Sequence, residues 1–128
     1  MKVIQELVAY FDRSGRLSKQ QIGTLLDQGF LAADAPQTMM ELCDQIGATY
    51  YFRVKGNATG PIWGTDLYTG DTLIAVAAVH AGLLKPDQEG VIKVSVVSPP
   101  AQFQGSLRHG VESHDFGRFG TAYKVGHV

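Results

Sequence analysis

The feature that most constrains the fold is an apolar run at residues 72–81, TLIAVAAVHA. The run contains no charged residue, and its one strongly polar side chain, His80, lies near its end. Asp71 is a good N-cap and Gly82 a good C-terminal stop, so the run predicts a helix. A helix without a polar face cannot lie on a protein surface. We therefore expect a core helix with strands on more than one side.

The sequence on either side of this run is typical of strands and turns. ATYYFRVKG alternates and is rich in aromatic and branched residues, which favours a strand. GVIKVSVV predicts a second strand, with Ile92, Val94 and Val96 on one face. TAYKVGHV predicts a third strand, and PIWG and DLYT predict short edge pieces. Together with the apolar helix, these strands predict an α+β fold.

Residues 1–47 have the pattern of short amphipathic helices, and we expect them to form an N-terminal helical segment that precedes a second unit, residues 48–128. Ser18 opens a capping box and Gly29 suits the end of the same helix. Pro36 suits the first turn of a third helix. That helix would direct four apolar side chains inward: Met39, Met40, Leu42 and Ile46.

The helical segment is the part of the chain that most needs a packing partner. Short helices are marginal alone, whereas the strands and helix of residues 48–125 can bury one another. We therefore expect residues 48–125 to fold without help. We expect the helical segment to contribute to partner binding or self-association through apolar anchors: Val3, Leu7, Phe11 and Phe30.

Charge and cysteine content narrow the functional classes. The 128 residues include 11 Lys and Arg and 12 Asp and Glu, for a net charge of −1, which argues against nucleic-acid binding. The longest apolar runs fall far short of the roughly 20 residues that a membrane span requires. Glu6 and Asp12 interrupt the start of the chain, which is unlike a signal peptide. Cys43 is the single cysteine and cannot form an internal disulfide, so we expect a reducing, cytoplasmic setting.

The order of several motifs resembles the LCCL domain family over about residues 48–125. The motifs are YYFRVKGN, WGTDLYTGDT, AVAAVHAGLL, GVIKVSVV, FQGSLRHGVES and TAYKV. The most specific pieces are AAVHAG with its flanking GTDLYT, and GS-x-R-x-G-V-x-S at residues 105–113. The resemblance implies a central apolar helix wrapped by two curved β-sheets. This agrees with the core helix expected from the residues themselves.

The cysteines depart from the pattern of extracellular LCCL domains. The resemblance implies four cysteines in two disulfides in those relatives, and the helix position that would hold one of them is Ala75 here. Cys43 lies outside the matched region. The chain therefore resembles the cysteine-poor bacterial type, which argues against a secreted role and against the lipopolysaccharide-binding and matrix roles of animal relatives.

The histidines do not form a convincing metal site in the sequence, and we expect neither a metal nor another cofactor. No pair among His80, His109, His114 and His127 has helical ligand spacing, and Cys43 lies in another segment. We expect a structural role for His80, in which a ring nitrogen bonds to backbone and a partial positive charge suits the helix dipole.

Catalytic residues are also hard to find. Ser106 lies near His109 but lacks the sharp turn and the ordered acid that make a serine nucleophilic. Asp66 and Asp71 are better suited to bonding turn and helix amides than to acting as an acid–base pair. We therefore do not expect an enzyme.

Two binding functions remain open. The first is an intracellular adaptor module that recognises another protein through the helical segment and the rims of the sheets. The second is a binder of carbohydrate or lipid headgroup. The side chains that could supply its stacking faces and polar contacts are Trp63, Tyr68, Phe103, Arg108 and His109.

Overall fold

The computed structural model describes residues 32–128 and contains a large sheet, a short two-stranded ribbon and one short helix. The elements in chain order are β1 (Ala33–Asp34), β2 (Thr49–Lys55), β3 (Gly64–Thr65), β4 (Leu67–Thr69), α1 (Ile74–His80), β5 (Glu89–Val97), β6 (Leu107–Arg108), β7 (Val111–Glu112) and β8 (Ala122–Gly126).

Six of the strands form one sheet in the order β1-β2-β5-β8-β4-β3. β1 pairs with β2 in parallel, and the other neighbours are antiparallel. The three strands predicted from ATYYFRVKG, GVIKVSVV and TAYKVGHV are confirmed as β2, β5 and β8, which are adjacent in the sheet. β6 and β7 form the separate two-stranded ribbon.

One face of the sheet carries the core. Phe52 of β2 lies opposite Ile92 of β5, and Val96 of β5 lies opposite Tyr123 of β8. Residues opposite each other in an antiparallel ladder point to the same face, so these four buried side chains line one surface. Ile92, Val94 and Val96 are all buried in the core, as their alternation predicts.

Helix α1 lies on this inner face and is buried nearly all round. The Tyr123 hydroxyl of β8 donates to the Thr72 carbonyl oxygen just before the helix, at 2.8 Å. Within α1, only Ala75 is less than fully buried. The absence of charge from residues 72–81 is thus explained, because an ionised side chain there would lose its hydration.

The start of the helix corrects the sequence prediction. α1 begins at Ile74 rather than at Thr72, and its N-cap is Leu73, which has no side chain that can cap. Asp71 lies three residues before the first helical residue, too early to reach its free amides. The Ile74 N–H instead donates to the Gln37 carbonyl oxygen at 2.9 Å. The Gln37 carbonyl oxygen thus satisfies a free amide at the start of the helix, the role that was expected of Asp71.

The end of the helix follows the predicted geometry. Gly82 has a φ of 82°, the left-handed conformation that glycine adopts without a steric penalty. The Gly82 N–H donates to the Val79 carbonyl oxygen, and the Leu83 N–H donates to that of Ala78. This pair of bonds is the Schellman motif, which satisfies two carbonyls that the helix leaves free.

The predicted third helix after Pro36 is wrong, because residues 36–47 form turns. Backbone groups there bond to residues far away in the chain: the Met39 N–H donates to the Gly70 carbonyl oxygen, and the Gly47 N–H donates to the Val96 carbonyl oxygen of β5. Those bonds replace the local ones that a helix would need. Of the side chains expected to point inward, Met39 is fully buried and Leu42 partly buried, whereas Met40 and Ile46 are exposed.

The α+β class agrees with these elements only loosely, since the described part of the chain is mostly sheet. The expected second curved sheet corresponds to a ribbon of two-residue strands. Strand β1 and Met39 place residues 33–39 within the sheet and core, upstream of the expected boundary at Ala48. The helices expected before Pro36, with the predicted anchors Val3, Leu7, Phe11 and Phe30, fall outside the described residues.

Candidate functional site

Two of the five side chains proposed for ligand contact are buried. Tyr68 is 0% exposed and Phe103 is 2% exposed, so neither ring can offer a stacking face. The side chain of Arg108 is partly exposed, and Nη1 of Arg108 donates to Oδ1 of Asp66 at 2.7 Å. Among these five residues, Trp63 retains the exposure that a stacking contact requires, because its side chain is only partly buried.

The buried Tyr68 belongs to a chain of polar side chains that passes through the buried His80. The Tyr68 hydroxyl lies 2.9 Å from Nδ1 of His80. On the other side of the imidazole ring, Nε2 lies 3.1 Å from the Ser106 carbonyl oxygen and 3.2 Å from Ser106 Oγ. Ser106 Oγ lies 2.6 Å from Thr65 Oγ1. These residues come from β3, β4, α1 and the loop before β6, so the chain ties the helix to one end of the sheet.

The proton positions along this chain follow from its two carbonyl acceptors. The Thr65 hydroxyl donates to the Gln104 carbonyl oxygen at 2.8 Å, so Thr65 Oγ1 accepts from the Ser106 hydroxyl. The Ser106 carbonyl can only accept, so Nε2 of His80 carries a proton and donates it. Nδ1 therefore accepts from the Tyr68 hydroxyl. In this tautomer Nε2 of His80 donates toward Ser106 and does not accept the proton of its hydroxyl.

Burial sets the pKa values along this chain. Desolvation is the largest influence on His80 and lowers its pKa, partly opposed by the hydrogen bond to the Ser106 backbone. Burial likewise raises the pKa of Tyr68 to about 12. The imidazole is therefore neutral at pH 7, which corrects the expectation of a partial positive charge at the helix end. The expected bond from a ring nitrogen to backbone is present.

We expect acid to destabilise the fold through His80. An unfolded histidine titrates near pH 6.5, and the folded pKa is lower, so stability is full above pH 6.5. As the pH falls below 6.5, His80 becomes protonated in the unfolded chain but stays neutral in the folded chain. The free energy of unfolding therefore decreases by up to about 1.4 kcal/mol per pH unit. This loss continues until the folded pKa is reached. Urea unfolding between pH 7.5 and 5 measures it.

A matched variant distinguishes the effect of His80 from that of other groups that titrate in the same pH range. Arg108, Asp66 and His109 face the ring. His114→Gln replaces an exposed histidine and should leave the acid-induced decrease in the free energy of unfolding unchanged. In the parent protein, the His80 ring protons should keep their NMR shifts through pH 6.5. A normal titration of those protons would contradict the expectation, whether or not His80 variants fold.

His109 has a structural contact that its sequence position does not reveal. Nδ1 of His109 lies 2.9 Å from the His80 carbonyl oxygen, which accepts from it at the last residue of α1. A side chain built at Gly82 would collide with the His109 ring, so the glycine also makes room for this contact. His109 therefore helps to cap the helix, although the residue as a whole remains exposed.

Three aromatic rings form a second cluster, on the surface rather than in the core. The ring centroids of Trp63 and Phe116 are 6.3 Å apart, and those of Phe116 and Phe119 are 5.8 Å apart. Both contacts are edge-to-face, the arrangement that aromatic pairs favour. Phe116 is 40% exposed, and Trp63 and Phe119 are partly exposed. We call Trp63, Phe116 and Phe119 the aromatic surface.

A groove of about 460 Å³ adjoins this surface. Phe119 belongs to both, and Arg118 and the Pro99–Pro100 pair also line the groove. Within residues 32–128, Arg118 makes neither an ion pair nor a hydrogen bond. Small-molecule and peptide sites usually combine such apolar walls with a few convergent polar groups. The groove and the aromatic surface together are therefore a candidate for ligand or partner contact.

Comparison with known proteins decides the family, because the family model of the LCCL domain matches residues 34–121. This chain belongs to the LCCL domain family. The match begins upstream of the expected boundary at Ala48 and includes Asp34, the second residue of β1. Cys43 therefore lies inside the matched region, which corrects the expectation that it lies outside. The match also includes all three rings of the aromatic surface.

Several relatives of this LCCL domain are much longer proteins. The human cysteine-rich secretory protein LCCL domain-containing 2 is 31% identical over 85 residues, which are 65% of this chain and 17% of that protein. The transcriptional regulatory protein rxt3 of Schizosaccharomyces pombe is 36% identical over 59 residues, 43% of this chain and 17% of its own. Clotting factor C of Tachypleus tridentatus is 24% identical over 98 residues, 74% of this chain and 10% of its own.

These comparisons bear on the expected type of LCCL domain. The chain spans less than a fifth of the length of each of these three relatives. All three come from eukaryotes, so they do not support the bacterial type expected from the low cysteine content. Membership in the family indicates a binding module.

The sequence reasoning missed Phe116, Arg118 and Phe119 of this LCCL domain. Their signal was the stretch HDFGRFG, in which two large aromatic residues and an arginine alternate with glycines. Glycine-rich segments form loops on the protein surface, and a phenylalanine in such a loop indicates that its ring packs against other side chains or contacts a ligand. The Phe103–Phe116 and Trp63–His114 bridges then bring the rings together.

Residues 32–128 hold no group of three or more His, Cys, Asp or Glu side chains close enough to bind a metal ion. In the same part of the chain, no helix is long and apolar enough to cross a membrane.

Proposed function

We propose that this LCCL domain is a non-enzymatic binding module that recognises another protein through the aromatic surface. The observation that carries the proposal is the exposure of Phe116 between Trp63 and Phe119. Partly exposed aromatic clusters are unfavourable in water and are the commonest anchors of protein interfaces. Rigid rings that already contact each other lose little conformational freedom on binding.

Two features support the adaptor character and its setting. The protons of the Tyr68–His80–Ser106–Thr65 chain are all assigned to structural bonds, which favours binding over catalysis. Cys43 is the only cysteine, so the chain can work in the reducing cell interior without loss of a disulfide. We therefore propose an intracellular, cytoplasmic role.

A double variant, Phe116→Ala with Phe119→Ala, tests this function. Loss of an aromatic anchor costs about 2 kcal/mol or more, so we expect at least about a 30-fold loss of partner affinity. The measurement is quantitative affinity capture followed by a binding titration of the captured protein. Neither ring belongs to the core cluster, so the variant should keep its melting temperature within a few degrees.

Lys124→Ala, at an exposed residue of β8, is the matched control and should bind like the parent. Capture that is unchanged in the double variant would move the protein-binding surface away from the aromatic rings. The expected anchors Val3, Leu7, Phe11 and Phe30 then become the next candidates, as part of partner binding or self-association.

A second candidate function, recognition of carbohydrate or lipid headgroup, has support from Arg118. Its guanidinium is free of ion pairs within residues 32–128 and lies in the groove beside Phe119. Aromatic rings stack on sugars, and guanidinium groups bind phosphate and carboxylate. Trp63 is the single tryptophan and lies in the aromatic surface, so its fluorescence reports on binding there. A response to maltoheptaose would favour carbohydrate, and one to phosphatidylglycerol vesicles would favour a lipid headgroup.

A further inference from the structure

A second groove, of about 440 Å³, lies where helix α1 comes closest to the surface. Its apolar lining includes Leu73 and Ala75, which are only partly buried, unlike the rest of the helix. Arg53 and Lys55 of β2 line it together with Asp34 of β1. We call it the cationic groove.

The charges along the cationic groove do not balance. Arg53 and Lys55 contribute two positive charges and Asp34 one negative charge, which leaves a formal charge of +1. Nη1 of Arg53 contacts Oδ1 of Asp34 at 3.4 Å, with both side chains well exposed. Close charge-assisted bonds are about 2.7–2.9 Å, so most of the guanidinium fork remains available. Glu89 lies opposite Lys55 in the ladder but forms no ion pair with it.

The backbone of β2 adds a donor to the same groove. The Arg53 carbonyl oxygen accepts from the Ala35 N–H, and the Asn57 N–H donates to the Ala75 carbonyl oxygen. Alternate residues of an antiparallel strand direct their backbone groups to the same edge. Lys55 lies between these two residues, so its N–H also points away from β5, into the gap between the turn after β1 and the helix.

We propose that the cationic groove binds a small amphiphilic monocarboxylate, a short hydrocarbon group that carries one carboxylate. Leu73 and Ala75 contact the hydrocarbon, and the carboxylate accepts hydrogen bonds from Arg53, the Lys55 ammonium and the Lys55 N–H. A carboxylate carries the single negative charge that balances the groove, whereas a phosphate monoester carries nearly two. A volume of about 440 Å³ suits a small ligand. This site is separate from the aromatic surface and does not depend on the proposed function.

The test is amide NMR of the full chain, titrated with sodium hexanoate, 1-hexanol and sodium acetate. Hexanoate combines the chain and the charge, hexanol lacks the charge, and acetate lacks the chain. We expect hexanoate to shift the amide signals of Lys55, Asn57 and Ile74, and to bind about tenfold more tightly than either of the other probes. Trp63 fluorescence should not change, which separates this site from the aromatic surface.

Two variants and a matched control locate the carboxylate. Lys55→Gln and Arg53→Gln should each weaken hexanoate binding by about tenfold and leave hexanol binding unchanged. Both side chains belong to exposed residues, so these variants should fold. Lys124→Gln removes a cation from the same sheet outside the groove and should bind hexanoate like the parent. Equal binding of hexanoate and hexanol, or an undiminished affinity in both groove variants, would overturn the proposal.

Discussion

Replacement of Ala78 by aspartate is expected to abolish the cooperative folded state. Ala78 is fully buried in α1 and belongs to the core cluster. The new carboxylate would be buried without a counter-charge, which costs several kcal/mol. Domains of this kind have a total stability of about 5–15 kcal/mol, so one such penalty is comparable with the whole. Circular dichroism during thermal and urea unfolding measures the loss, and Ala77→Asp should behave in the same way.

The same change at Ala75 provides the control. Ala75 is in the same helix but is partly exposed in the cationic groove, where Arg53 and Lys55 supply positive charge. Ala75→Asp introduces the same carboxylate in the first turn of the helix, where the helix dipole favours it by about 0.3–1 kcal/mol, which is small beside the cost of burying a charge at Ala78. We expect it to fold. If Ala78→Asp melted within a few degrees of the parent, the helix would not be a core element.

A chain that begins at Ala48 is expected not to fold, contrary to the expectation drawn from the sequence. The truncation removes β1 and its pairing with β2, the Gln37 carbonyl that accepts from Ile74, and the fully buried Met39. Removal of one buried side chain of this size costs about 2–5 kcal/mol, before the lost hydrogen bonds are counted. Amide NMR of the fragment should show poorly dispersed signals, and a native-like spectrum would contradict the placement of residues 33–39 in the sheet and core.

Adjacent methionines allow a milder version of this experiment in the full chain. Met39→Ala should lower the free energy of unfolding by about 2–5 kcal/mol, because the side chain is buried in the core cluster. Met40→Ala is the matched control, since Met40 is 49% exposed. Its effect should lie within about 0.5 kcal/mol of zero. Similar effects of the two changes would mean that residues 36–47 pack differently from the structure described.

The features that could be predicted from the sequence are those that local pattern determines. Residues 52–55, 92–96 and 123–125 of β2, β5 and β8 alternate apolar and polar side chains, the period of two that is typical of strands. The alternation is incomplete, since Tyr50 and Tyr51 are both buried in β2 and Ala122 and Tyr123 are both buried in β8. The apolar run around α1 required burial wherever it lay. Gly82 suited the helix end because the left-handed conformation depends on the residue itself.

The features that could not be predicted depend on residues far apart in the chain. Pro36 and the methionines after it fit a helical pattern, but the Met39 N–H bonds to Gly70 instead. Asp71 fits an N-cap, but the helix begins later and Gln37 serves its first amide. A single sequence does not contain these pairings in any local form.

The candidate site could not be predicted fully for the same reason, because it depends on pairings between residues far apart in the chain. Tyr68 and Trp63 both looked like available aromatic residues, yet the pairing of β4 with β8 directs Tyr68 inward. Phe116 and Phe119 join Trp63 only through bridges that link residues 63 to 114 and 103 to 116. Composition could therefore identify aromatic residues as candidates but could not distinguish core rings from surface rings.

The two ends of helix α1 have a consequence for how fast the protein folds. The Gln37 carbonyl oxygen accepts from the first helical N–H, and the His109 ring donates to the carbonyl oxygen of the last helical residue. One of these groups precedes the helix in the chain and the other follows it. A seven-residue helix is too short to persist alone. It forms only when the segments around Gln37 and His109 are both in place. Closing the chain loops between these segments and the helix costs entropy before any contact is gained, which slows folding. We therefore expect this helix to form late and together with the sheet, unlike the early local helices of small bundles.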